Sequence, residues 1–379
     1  MLTIEEITKL EDFMKLAPEW NLLLKESDSD NIFLTWEWVS NWWNVYGEGK
    51  KLRVMAVRDD TKGLVAIAPL YGTERRVMKG VAVREIRFIG TGGDVSPDYL
   101  DVIIKRGMEE EVIEALVRHL CADRKWDVAS LTDIRADSPN LELLKNLASG
   151  SGLLVRTKPC AVCPYIKLPP FWEEYLGGLS ANMRYNVKRR MRNLEKAFAA
   201  RYFLWQDTET LTSAMELLAA LHSRRWEEKG TSRSFSTPQY NAFHQAVALD
   251  FARKGWLNLS CLELDGEIVG MFYDYRYGNK IYYYQAGFDP EFSRYSPGLA
   301  LRAYVIRDAI EEGFEEVDLL KGAYDFKYLW THNDRSTTTL AVGRGTLAGR
   351  LHFLEAFEKP RMKAAIKETL PESLLRLVR

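Results

Sequence analysis

Residues 282–327 read YYYQAGFDPEFSRYSPGLALRAYVIRDAIEEGFEEVDLLKGAYDFK, and this stretch limits the fold more than any other. A strand-like aromatic run stops at a proline, and Ser-Pro-Gly then opens an apolar-striped segment. A glycine ends that segment before a second short apolar run. Ser296 suits the N-cap, Pro297 stands where its missing N–H costs nothing, and Gly298 lets a ligand approach the backbone. Leu299, Ala303, Ile306 and Ile310 fall on one helical face, and Gly313 suits a left-handed exit. A helix that opens directly after a strand turns free N–H groups and its positive dipole end outward, an arrangement suited to phosphate. A well-capped helix that binds nothing fits the same residues.

The chain has 379 residues, enough for two domains, since single cores tend to split beyond about 250–300 residues. A 46% hydrophobic content predicts packed globular structure. The formal charge of −1 gives no overall attraction to DNA or to an acidic membrane, so any such binding needs a local patch. MLTIEEITKLEDF lacks the basic and apolar regions of a secretory signal, and no run of about 18 apolar residues predicts a membrane span. Four cysteines make no disulfide framework. Cys160 and Cys163 lack the second ligand pair of a structural zinc site, so no metal is expected. A cytoplasmic, reduced location fits.

The rhythm of the chain is repeated. Residues 1–165 give helices, a meander of strands, the helix 108–122, the strand WDVASLTDI and closing strands. Residues 166–345 give two helices, three strands joined at LDGE and YGNK, the helix 298–312, the strand EEVDLLK and closing strands around STTTLAVGR. The tail 346–379 reads as helices packed on the second half. The fold class is therefore α/β, with mixed central sheets flanked by helices, in two copies of one fold.

The order strand, loop, glycine-containing helix start, helix, strand is similar to the coenzyme-A-binding core of GNAT-fold acyltransferases. SDSDNIFLTWEWVSNWW, RFIGTGGDVSPDYLD, MRYNVKRRMRNLEK, AGFDPEFSRYSPG and GAYDFKYLW narrow the likeness. Together they resemble the CelD/BcsL-like acetyltransferases of bacterial exopolysaccharide and cellulose production, relatives of the FemABX aminoacyltransferases. The resemblance runs to about residue 345. It implies two tandem GNAT-like domains and an acyl-CoA donor, acetyl-CoA first, held by the second. It also implies an amine or hydroxyl acceptor on a polysaccharide precursor in the cleft between the domains. The GNAT phosphate loop reads R/Q-x-x-G-x-G/A; here Gly298-Leu299-Ala300 fits its second half, while Arg294 lies one residue too far upstream. FemABX relatives use aminoacyl-tRNA, which keeps that donor as an alternative. A non-catalytic protein holding a glycan or a partner is a second alternative, and it predicts a strand gap filled by the rings of YYYQ. The first domain has no comparable loop before its helix and is expected to bind no donor.

The resemblance places Gln285 and Gly287 beside the donor, and the N–H groups of Ser296 and Gly298 on its phosphates. Within GAYDFK, Lys327 would stabilise negative charge on the acyl carbonyl or grip an acceptor phosphate. Tyr324 would protonate the leaving thiolate. Asp325 would act as base or pair with Lys327. An exposed turn with a surface ion pair is the bland reading of the same residues. Asp98 and Tyr99 of SPDYLD suit the domain cleft, or an Asx turn.

Met183, Val187, Met191, Leu194 and Phe198 form a helical stripe, with Arg184, Arg189 and other cations around it. That basic helix, an insertion at 180–200, could carry a solvated face, a phosphate-bearing acceptor or an anionic membrane surface, with tRNA less suited. Trp36, Trp38, Trp42 and Trp43 share one helix and read as core or as a sugar-stacking wall. His222 and His244 read as packed residues, and His332 as a weak general-base candidate.

Overall fold

A computed structural model describes residues 1–77, 80–227 and 234–358. The first half runs β1 (Leu2–Ile7), α1 (Leu10–Met14), α2 (Ala17–Lys25), α3 (Trp36–Tyr46), β2 (Lys51–Leu52), β3 (Val54–Asp59) and β4 (Gly63–Ala68). It continues with β5 (Leu70–Val77), β6 (Val81–Phe88), β7 (Ile103–Ile104), α4 (Glu109–Ala122), β8 (Val128–Arg135), α5 (Pro139–Gly150) and the long β9 (Leu154–Lys167). The second half opens with α6 (Trp172–Gly178), α7 (Ala181–Ala197), β10 (Ala200–Leu204), α8 (Leu211–Glu227) and α9 (Pro238–Lys254). β11 (Leu257–Leu264), β12 (Glu267–Tyr277), β13 (Lys280–Phe288), α10 (Pro297–Glu311) and β14 (Glu316–Asp318) follow. α11 (Asp325–Tyr328), β15 (Asp334–Gly343) and α12 (Leu347–Phe353) complete the described chain.

Local chemistry explains the boundaries. Thr237 caps α9, Pro238 takes its first turn, and Gly255 closes it at φ 71°. Asp265 and Gly266 both adopt positive φ, the pair of angles that a tight hairpin between β11 and β12 requires. Three glutamates in the first turn of α4 face its positive dipole end.

One sheet of order β10-β11-β12-β13-β14-β9-β15-β8-β6-β5-β2 runs through both halves, and β1-β3-β4-β7 form a smaller one. β9 joins the halves: its first part pairs with β15, and Tyr165, Ile166 and Lys167 pair with β14. Two expectations are corrected here. β15 does not close the second half; it lies between β9 and β8, paired antiparallel with both. The start of the tail packs on the first half, where Phe353 and Phe357 meet Val77, Val83 and Val128. The tail beyond residue 358 lies outside the described residues.

The tryptophan helix α3 joins the halves from one side. Trp38 and Trp42 are fully buried, with Trp38 packed edge-on against Phe33 and Phe243 at 4.9 Å. Packing, not sugar stacking, accounts for these two rings. α7 buries Met183, Val187, Met191 and Leu194 in a core that includes Ala300, Ala303, Tyr304 and Ile306 of α10. Its cationic residues are left on the outer face.

Candidate active site

β13 and β14 are parallel and paired only from Lys280↔Glu316 to Tyr282↔Asp318. Beyond Asp318 the chain follows β9 instead: Leu319 N–H donates to Pro164 O at 2.9 Å and Gly322 N–H to Val162 O at 2.9 Å. Leu320 adopts φ 57°, a left-handed conformation that a leucine takes at a cost, and turns the chain away. The strands therefore splay. On the β13 side the register with β12 slips at Tyr273/Asp274, so that Tyr273 faces Gln285 and Asp274 faces Tyr283. Tyr284 is the extra residue of a bulge, and bulges re-aim side chains beside active sites. Here Tyr284 and Gln285 turn to the same side: the Tyr284 hydroxyl accepts from Ser96 N–H, and the Gln285 amide donates to Tyr240 and Ser234.

A cavity of about 490 Å³ opens at this splay. Its walls are Tyr283–Ala286 from β13, Leu319–Lys321 after β14, His222 and Arg225 of α8, and Tyr240 of α9. Asp94, Ser96 and Asp98 come from the first half, with Tyr324, Phe326 and Lys327 completing the lining. The tyrosine rings stand on the walls and leave the space open, against the expectation attached to a non-catalytic protein.

Lys327 is 4% exposed, and its Nζ donates to Leu320 O at 2.9 Å and Lys321 O at 2.8 Å. Burial pulls its pKa down to about 8, although the Asp98 charge opposes the shift. An ammonium with two hydrogens committed to carbonyls keeps a third for a ligand. Lys321 differs in kind. Its Nζ lies 3.1 Å from Asp98 and 2.9 Å from Asp133 and donates to Pro97 O at 2.8 Å. These carboxylates hold its pKa above the ordinary lysine value despite burial. Asp98 is fully buried and its pKa is raised by desolvation, an effect that Lys321 offsets in part.

Of the residues expected from the sequence, Lys327, Tyr324, Gln285 and Asp98 come together in this cavity. Others do not. Asp325 is exposed in the first turn of α11 and forms no ion pair with Lys327 among the described residues. Tyr99 turns to the other side of the sheet, where its hydroxyl donates to Asp318 at 3.1 Å. Gly287 sits under α8: a Cβ there would stand 2.6 Å from His222 N and 2.9 Å from Leu218 O, so helix packing explains the glycine. Arg184 donates to Gly177 O, and Arg189 donates to Asn186 and stacks on Tyr185, both away from the cavity.

The start of α10 also differs from expectation. Ser296 adopts φ 57° and makes no side-chain cap, and its N–H donates to Ser293 O at 3.0 Å. Gly298 is backed by the Phe288 ring, 3.2 Å from the position of a Cβ. Its N–H has no protein acceptor among the described residues, so of the two N–H groups expected at a phosphate only this one is left unengaged. Arg294 stacks on Tyr295, and its carbonyl accepts from Arg190 of α7 at 2.7 Å, which holds the basic helix beside the α10 N-terminus.

His222, Arg225, Tyr240 and Lys321 were not legible as site residues. His222 and Arg225 stand at i and i+3 on α8, where they share a face, and the His222 Nδ1 lies 2.9 Å from Ala286 O. A histidine and an arginine on one face of a helix preceding a strand meander is a signal that could have found them. His244 and His332 do not line the cavity; His244 is fully buried and its pKa is pushed down to about 3 by desolvation.

The first half contains the counterpart of the splay. β6 and β8 are parallel and paired only at Glu85↔Val128 and Ile86↔Ala129. Leu100, fully buried, donates its N–H to Asp133 O at 3.0 Å. Gly90, at φ 109°, has Pro97 and Leu100 within 3.4 and 3.7 Å of where a Cβ would stand. Between β6 and β8 the SPDYLD segment is thus a plug in a gap whose counterpart between β13 and β14 stays open.

The family description "Acetyltransferase (GNAT) domain" matches residues 181–328, the segment from α7 to α11. No curated protein matches the sequence. Among solved structures, FemX superposes with a TM-score of 0.61 at 13% identity, covering 89% of this chain and 96% of its own. A conserved protein of unknown function from Bacteroides thetaiotaomicron gives 0.57 at 10% identity, covering 91% and 100%. L-PGS from Bacillus licheniformis gives 0.50 at 12% identity, covering 89% and 95%. At such identities the likeness establishes the fold. Residues 181–328 match the GNAT acetyltransferase domain, and the chain shares its overall fold with FemX.

Proposed function

We propose that the protein transfers an acyl group, acetyl in the first instance, from a CoA thioester to an amine or hydroxyl of a polysaccharide or envelope precursor. The observation that carries this reading is the open splay between β13 and β14 with a buried lysine in its lining. The donor would run from the α10 N-terminus, with a phosphate on Gly298 N–H, into the splay. The acceptor would lie in the cavity under Tyr240, Tyr324 and Phe326. An amine acceptor attacks as the neutral form, so its ammonium proton would be lost to solvent before it reaches the carbonyl carbon. Its attack forms the new C–N bond and places negative charge on the carbonyl oxygen, where the third hydrogen of the Lys327 ammonium would meet it. Collapse breaks the C–S bond; Tyr324 would give its proton to the departing thiolate, and its phenolate would take the proton that the acylated nitrogen sheds. Asp325 has no part in this scheme.

Calorimetric titration with acetyl-CoA and desulfo-CoA tests the donor. Binding to the wild type that is lost in Gly298→Trp supports the reading, and no binding to the wild type overturns it.

A second reading, an aminoacyl-tRNA donor, is favoured by the engaged Ser296 N–H together with Arg190 on the Arg294 carbonyl. It expects tRNA to protect α7 from proteolysis. An anionic membrane surface against the same cations would bring a lipid-linked acceptor near. No helix among the described residues is long and apolar enough to cross a membrane.

A further inference from the structure

A second cavity, of about 220 Å³, lies apart from the splay, lined by Tyr99, Asp101, Asn140 and Asp318 among others. The plug segment divides the two: Asp98 lines the first and Tyr99 the second. Two buried acceptor atoms here have no hydrogen-bond partner, Asn140 Oδ1 and Asp318 Oδ2. Asn140 is 3% exposed, and its Nδ2 donates to Asp101 at 3.2 Å and to Val102 O at 3.1 Å, which fixes the amide with its oxygen left over. Asp318 is fully buried. Its Oδ1 accepts from Tyr99 and from Leu320 N–H, while the nearest cation to Oδ2, Arg335, stands at 3.8 Å. An acceptor buried without a donor loses its hydration with nothing in return, so the site asks for hydrogen-bond donors.

It asks for positive charge as well. The wall's cations have nearer partners: Arg335 reaches Glu316 at 2.5 Å and Asp318 only at 3.8 Å, Lys280 pairs with Glu316 at 3.3 Å, and Arg135 with Asp137 at 2.7 Å. Asp101 and, at the rim, Asp30 form no ion pair among the described residues. Burial raises the pKa values of Asp101 and Asp318 to about 6, a demand that a bound cation would relieve. No three acidic, His or Cys side chains among the described residues group closely enough to hold a metal ion. The volume falls below the roughly 300–1,000 Å³ of drug-sized sites, so the occupant is small.

We infer that this cavity is a binding site for a small primary alkylammonium, whose N–H groups reach Asp318 Oδ2 and Asn140 Oδ1. The amine is bound and not acylated there, since the splay lies on the other side of the plug.

Ethanolamine and N-acetylethanolamine serve as probes in calorimetric titrations of the full chain at neutral pH. Ethanolamine is expected to bind at least tenfold more tightly than its acetylated form. Asn140→Leu is expected to weaken it tenfold or more, and Lys327→Met to leave it unchanged. Should Asn140→Leu not fold, Asp30→Asn at the exposed rim is expected to weaken binding several-fold. Equal binding of the two probes, or none, overturns the assignment. So does loss of binding in Lys327→Met, which would put the amine in the acyl-transfer cavity.

Discussion

The two halves each part a pair of parallel strands, and they treat the gap in opposite ways. Between β6 and β8 the gap is closed by Pro97 and Leu100, pinned by a hydrogen bond to Asp133. Between β13 and β14 it is a cavity with a lysine of lowered pKa in its lining. One fold element thus serves once as packing and once as the wall of an open cavity. Lys321 connects the two, since its partners Asp98 and Asp133 belong to the plug and to the closed strand pair.

This contrast can be broken at several points. Lys327→Met is expected to lower kcat/KM by about 10²–10³-fold, the effect of removing one oxyanion donor, with a stability loss of about 1–3 kcal/mol from the two carbonyls left without their donor. Steady-state kinetics beside a thermal melt checks it; near-normal turnover would move the chemistry elsewhere. Lys321→Met should instead act on stability, by about 3–5 kcal/mol, because it strands the buried Asp98 charge. Adding Asp98→Asn should recover part of that loss in denaturant titration.

Leu100→Ala leaves a void in the closed gap and should cost about 2–5 kcal/mol without moving KM. A changed KM would mean that the plug shapes the acceptor site. The rate should decline as pH rises through about 8, where Lys327 loses the charge assigned to it, and Lys327→Arg should move the decline upward. A pH-dependent effect concerns Asp274, fully buried under the bulge with a pKa raised to about 8 by desolvation. The folded state holds that proton more tightly than the unfolded chain. Stability contributed by the protonated form is therefore present below the ordinary carboxylate range and lost as pH rises toward 8. Asp274→Asn should flatten that slope, by at most about 1.4 kcal/mol per pH unit.

What the sequence made legible was local. The strand, helix and strand of 282–318 and the α7 stripe depend on spacing within a few turns of chain, and each appears where spacing puts it. The position of β15 was not legible, because STTTLAVG alternates like any half-buried strand and does not name its partners. Ser296 misled for a related reason. Ser-Pro-Gly is good cap chemistry, but the short 3₁₀ helix Pro290–Tyr295 before it forces a left-handed angle that a local reading cannot see. Lys321 carried a signal that went unused. A lysine at the end of a strand that is otherwise buried needs counter-charge, and Asp98 and Asp133 supply it from the other half of the chain.

The place of β15 bears on how the protein comes off the ribosome. β8 and β9 are not neighbours in the sheet; the strand between them is the last one in the described chain. A nascent chain halted anywhere before residue 334 carries a first half with a missing central strand and two unpaired edges. Domain-by-domain folding during synthesis, the usual protection for long chains, would leave the first half without β15, so its sheet is completed only once residues 334–343 have been made.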